Sequence, residues 1–119
     1  MKPTTVEDEF ILLAIKQGKA TNEGEYKTNN KIVKKIQKIK NNLLKDKKMC
    51  SRFVDDLLHH IEPNVRLWVC SIARDINYRT DETKKLLLEI AKDDTLMLIS
   101  FNAEIILKEH FGVFLRDGK

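Results

Sequence analysis

Residues 63–76 read PNVRLWVCSIARDI, and the fold follows from how that stretch is punctuated. Pro63 stands where a helix can begin, because the first helical residue has no intrahelical use for its N–H. Val65, Val69, Ile72 and Ile76 then recur at spacings of four, three and four, which is one face of a helix, and Trp68 and Ala73 widen that face. A helix so apolar on one side needs neighbours. The stretch therefore predicts a buried central helix against which the flanking segments pack.

Immediately upstream, Met49, Phe53, Leu57 and Ile61 form a four-residue stripe reinforced by Val54 and Leu58. This predicts a third helix over residues 46–62, beginning at Asp46 and stopping at Glu62, because a residue before proline is pushed out of helical geometry. Together the third and central helices make a hairpin. Before them, over residues 25–44, Ile32, Ile36, Ile39 and Leu43 line one side of a second helix. A first helix starts near Val6, where Thr5 offers a hydroxyl cap and Glu7, Asp8 and Glu9 bring negative charge to unpaired N–H groups. It continues through Phe10, Leu13, Ala14 and Gln17 and ends between Gly18 and Glu23.

Downstream, residues 77–79 are polar, and Thr80 followed by Asp81 and Glu82 repeats the cap and acidic first turn. A fifth helix over residues 81–92 turns Leu86, Leu87, Ile90 and Ala91 inward. The last helix begins at Leu96 or Ser100, runs to Phe111 and holds Phe101, Ala103, Ile106, Leu107 and His110, and Gly112 supplies a left-handed stop.

Composition agrees with this reading. The 119 residues suffice for one domain with a real core and not for two. Four Gly and two Pro leave few places for tight turns, which favours helices over a sandwich. Cys50 and Cys70 are too few for a disulfide framework and fall inside helical patterns, so reduced thiols and a cytoplasmic location are expected. The N-terminus carries acids where an export signal needs positive charge before an apolar run, and no stretch approaches about 18 uninterrupted apolar residues, so no membrane span is expected.

Residues 53–73 and 86–107 share apolar positions 33 or 34 apart, Phe53 with Leu86 and Val69 with Ala103, a pattern that suits stacked repeats and also an ordinary bundle. Pro63, Val65, Arg66 and the small Cys70 resemble the opening of the second helix in HEAT-like repeats. With Asn30 early in a long second helix, NVRLW at 64–68, and Phe101, Ala103, Glu104, Leu107, Lys108 and Gly112 near the end, the chain from about residue 22 to 113 resembles an uncharacterised bacterial family of short HEAT-like helical-repeat proteins, a domain of unknown function. The resemblance implies an all-α fold of about six helices in three antiparallel pairs, a HEAT- or armadillo-like right-handed stack. It would form a single helical-repeat domain over residues 1–119, frayed at 1–4 and 114–119. It carries over no catalytic residues. The chain departs from that family in its lysine-rich second helix and in Cys70, where alanine is usual.

Charge gives the strongest functional signal. Residues 27–52 hold ten Lys or Arg against one acid, Asp46, a balance of +9 within a chain of net +4, so the rest sums to −5. On a helical wheel Lys27, Lys31, Lys34, Lys38 and Lys45 fall within roughly 60° of one another, with Lys35 beside them, opposite the isoleucines. Such a row is either a solvated face that keeps the protein soluble or an anion-binding strip. Arginine forks and interleaved aromatics are missing from it, which leaves base-specific or stacking recognition unsupported.

Other residues carry weaker signals. Arg66 fits an ion pair with Glu62, Glu104 or Asp94 that locks neighbouring helices, or a polar patch with Asn30 and Glu104 on the inner surface. Trp68, the one tryptophan, is a core residue at the edge of its stripe or a stacking platform. His59, His60 and His110 complete no metal-ligand spacing, no Ser or Cys has a base at motif spacing, and no glycine-rich phosphate loop exists.

The sequence thus predicts a cytoplasmic, non-enzymatic interaction module acting through its second, fourth and sixth helices. Its expected partner is an acidic protein, by analogy with small helical bacterial proteins that serve as antidotes to toxins. Lys27, Lys31, Lys34, Lys35, Lys38, Asn30, Arg66 and Glu104 are the candidate binding residues, with no cofactor, metal, membrane or small-molecule substrate expected. Two other classes stay open: nonspecific nucleic-acid binding through the lysine face, and a glycosylase-like helical-repeat enzyme using Trp68 with an acid such as Asp75.

Overall fold

The computed structural model describes residues 5–114, and every regular element among them is helical. The helices are α1 (Val6–Glu23), α2 (Tyr26–Leu44), α3 (Lys47–Leu57), α4 (Pro63–Asp75), α5 (Thr80–Ala91) and α6 (Leu98–Phe111), with a 3-10 turn at Asp94–Leu96 before the last. The expected fraying falls on residues 1–4 and 115–119, outside the described residues, and on Phe114, which is exposed.

Local signals set most boundaries. Thr5 caps α1, its Oγ1 accepting from the Asp8 N–H at 3.0 Å, and Gly24 ends that helix at φ 71°. Asp46 caps α3 through the Met49 N–H at 3.1 Å, and Gly112 stops α6 at φ 66°.

The central helix lies where its sequence places it. Val65, Val69 and Ile72 are fully buried, and α4 packs against α1, α3, α5 and α6, while Ile76 caps its C-terminus half-buried. The helices pack in contacting pairs, α1 on α2, α3 on α4 and α5 on α6. One apolar cluster draws on all six, with Phe10, Ile36, Val54, Ile72, Leu87 and Leu107 among its members. Phe10 and Phe53 meet edge to face at 5.0 Å, fastening α1 to α3. α1 also touches α6, where the Leu98 N–H donates to Asn22 Oδ1 at 3.1 Å, so the first and last helices are joined.

Two expectations need correction. The third helix stops at Leu57 rather than Glu62, and two members of its expected stripe, Met49 (48% exposed) and Ile61 (84% exposed), lie outside the core. Ile61 lies beyond the end of the helix, and each spacing of four drifts about 40° around it, so Met49 stands about 80° from Leu57 and off the buried face. Cys50, Phe53, Val54 and Leu57 hold the true face. The chain beyond Leu58 is satisfied by side chains instead of a further helical turn: Arg66 donates from one guanidinium nitrogen to the carbonyls of His60 (2.8 Å) and Ile61 (3.0 Å), and the Glu62 N–H donates to His60 Nδ1 (3.0 Å).

Thr80 is the first residue of α5 rather than its cap. That place belongs to Arg79, held left-handed at φ 52° while its side chain bonds Asp55 and Glu82. In α6, Phe101 and His110 are exposed, because Ile99, Ser100, Ala103 and Leu107 form the inward face.

Candidate functional site

The inward face of α2 buries Ile32, Ile36 and Leu43 and half-buries Ile39, which turns the rest of its circumference outward. Lys27, Lys31, Lys34, Lys35 and Lys38 are all exposed, and none forms an ion pair with a described residue. Lys40 behaves differently. It follows Ile36 by four residues, so it lies at the flank of the apolar face, and its ammonium reaches Asp75 at 2.6 Å and Ser71 Oγ at 3.3 Å on α4. Arg74 takes the other oxygen of Asp75 at 2.7 Å.

A groove of about 810 Å³ opens beside this face, between the start of α1, the second half of α2 and the start of α3. Val6, Ile39, Leu43, Met49 and Phe53 give it an apolar floor. Its α2 and α3 walls carry Lys35, Lys38 and Arg52, and its α1 wall carries Glu7 and Glu9. The Glu7 carboxyl is pushed up to about 7, first by burial and then by its hydrogen bond to Asp56 and the nearby charges of Asp56 and Asp8. Sequence reading counted Met49 as core and so missed this groove.

A second, smaller cleft of about 200 Å³ is lined by Gln17, Leu67, Trp68, Ser71, Asn102 and Ile106. Behind it runs a polar network that joins α1, α2 and α4. Gln17 Oε1 accepts from Trp68 Nε1 (2.9 Å) and from Asn64 Nδ2 (2.7 Å), and Asn64 Nδ2 also donates to the Ala14 carbonyl (2.6 Å). Gln17 Nε2 donates to Thr21 Oγ1 (2.8 Å) and Asn29 Oδ1 (3.1 Å), and Asn29 Nδ2 donates to Thr21 Oγ1 (2.9 Å). Half-buried Trp68 is thereby fixed at the cleft wall, whereas Asp75 lines neither cleft and is engaged by Lys40 and Arg74.

The other sequence candidates fall elsewhere. Asn30 is exposed on α2, and its neighbour Asn29 is the one that enters the network. Arg66 caps the corner between α3 and α4, and Glu104 is half-buried on α6; none of Asn30, Arg66 and Glu104 lines either cleft. His59 pairs with Glu82 and His110 with Arg74 on the surface. Arg79 and Tyr78 bond Asp55 and hold its carboxyl below the usual range, so this part of the surface is knitted by its own charges. Both thiols are buried and free, and burial pushes that of Cys70 up to about 12.

Among the described residues, no group of three or more His, Cys, Asp or Glu is placed to hold a metal ion, and no helix is long and apolar enough to cross a membrane. Against protein-family models, curated proteins and solved structures alike, the chain gives no match.

Proposed function

We propose that this protein is a non-enzymatic interaction module that binds an acidic protein partner through the basic face of α2, its three helix pairs forming a short HEAT-like right-handed stack drawn together by the contact of α1 with α6. One observation carries the reading: five lysines stand exposed along one helix with no ion pair to a described residue, whereas the ion pairs formed elsewhere engage Asp55 and Glu82 through Arg79 and Asp75 through Lys40 and none draws on this row. A row of like charges left without counter-charge leaves a positive field available to an acidic surface. Antidote-like binding of an acidic toxin would be one case of this.

The test is a salt titration of binding to an acidic protein, with the variant Lys31→Glu/Lys34→Glu/Lys38→Glu alongside. Binding weakens steeply once the screening length drops to about 10 Å near 0.1 M salt, and the variant loses it while keeping its helical circular dichroism. Heparin and unrelated DNA separate the nucleic-acid alternative, since they compete equally for a polyanion binder and poorly for a protein binder. Unchanged binding by the triple variant refutes the proposal and leaves the row as a solvated face.

A further inference from the structure

The lysine row and the larger groove are continuous. Lys35 and Lys38 belong to both, and Arg52 extends the same wall onto α3. We infer that the groove receives an amphipathic helical segment of the acidic partner, its apolar ridge on Ile39, Leu43, Met49 and Phe53 and its carboxylates on Lys35, Lys38 and Arg52. This rests on the acidic-partner reading above and adds the form of the ligand.

Three features select a polypeptide helix. The floor is apolar and open, with Val6 52% and Met49 48% exposed, and a nucleic-acid backbone has nothing to place there. The cations outrun the groove: Lys27, Lys31 and Lys34 continue the row, so that Lys27 to Lys38 spans about 16 Å at the helical rise of about 1.5 Å per residue. A compact small molecule in the groove leaves that row unused, whereas a helix of three or four turns meets both. The walls also differ in sign, since Glu7 and Glu9 oppose the three cations. Glu7 shares a hydrogen-bonded carboxyl pair with Asp56, which softens the negative wall, and Glu9 directs the partner's carboxylates toward α2 and α3.

The experiment uses the full chain and a fluorescein-labelled peptide of about four helical turns, with leucines at i, i+3, i+4 and i+7 spacing and glutamates flanking them. Its comparators are a scrambled peptide of the same composition, a polyglutamate of the same charge, and an unrelated DNA duplex, all followed by anisotropy at low salt. The amphipathic peptide binds about tenfold more tightly than the scrambled one. Val6→Thr/Met49→Gln, which removes exposed apolar surface and no charge, erases that margin and leaves polyglutamate binding unchanged. Lys35→Glu/Lys38→Glu weakens both. Equal binding of ordered and scrambled peptides, or no effect of Val6→Thr/Met49→Gln, overturns the groove as a docking site while the basic-face reading stands. Failure of every acidic probe to bind overturns both. DNA that binds as tightly as the peptide and displaces it overturns the inference in favour of a polyanion ligand.

Discussion

Alanine at position 18 puts the close approach of α1 and α4 to a sharp test. Gly18 lies inside an 18-residue helix, where replacing glycine by alanine ordinarily stabilises by about 1 kcal/mol through helix propensity. Here a Cβ would stand 3.0 Å from Asn64 Cγ and Nδ2 and 3.1 Å from Asn64 Cβ, well inside the ~3.5–4.0 Å of an ordinary carbon contact. Asn64 is 4% exposed, and its Nδ2 is held by the Ala14 carbonyl at 2.6 Å and Gln17 Oε1 at 2.7 Å, so retreat means losing those bonds. Overpacking of about 1–3 kcal/mol then exceeds the propensity gain, for a net loss of about 1 kcal/mol. With Asn64→Gly in place all three contacting atoms are gone, and Gly18→Ala should stabilise that background by about 1 kcal/mol, a coupling of about 2 kcal/mol between the sites. Urea unfolding read by circular dichroism and by Trp68 fluorescence measures all four corners of the cycle, and Trp68 reports from the same network through its 2.9 Å bond to Gln17. A Gly18→Ala variant more stable than the unmodified protein, or one with the same sign in both backgrounds, refutes the reasoning.

Three further outcomes are expected. Ile72→Ala, at a fully buried position of the central helix, lowers the urea unfolding free energy by about 2–5 kcal/mol. Arg66→Ala strips the His60 and Ile61 carbonyls of their donor and costs about 1–3 kcal/mol of stability, while binding of acidic probes is unchanged, because the residue lies away from the groove. Glu7 keeps its proton to about pH 7 when folded against an ordinary value of 4.5, so the folded chain binds more protons than the unfolded one within that window. Its contribution is intact below 4.5 and is lost as pH rises through about 7, so urea midpoints fall across that interval and Glu7→Gln flattens the fall.

Helix existence was legible because it depends on local pattern. The apolar face around Ile72, the caps at Thr5 and Asp46, the break at Pro63 and the stop at Gly112 each act within one or two turns. What failed was whatever depended on a distant partner. The end of α1 was expected between Gly18 and Glu23 and comes at Glu23, but nothing showed why residue 18 is glycine, since Asn64, 46 positions along the chain, requires it. Arg66 suggested an ion pair, yet its NH1 caps two carbonyls that exist as acceptors because α3 stops early. Nothing local announced either fact.

The candidate site divides along the same line. Lysines on α2 could be placed outside by the wheel alone, since Ile32, Ile36 and Leu43 fix which side is inside. The groove could not, because its floor is assembled from α1, α2 and α3. One trace of it was nevertheless in the sequence. Two apolar faces compete on α3, the drifting one through Met49, Phe53, Leu57 and Ile61 and the truer helical one through Cys50, Phe53, Val54 and Leu57. A helix buries one of them, and the apolar residue left over must either face water or face a ligand. Met49 and Ile61 are both left over, and it is Met49 that stands beside the wall of α2 presenting Lys35 and Lys38. An apolar side chain displaced from the best face, next to a row of unmatched cations, is a site signal readable before any coordinates.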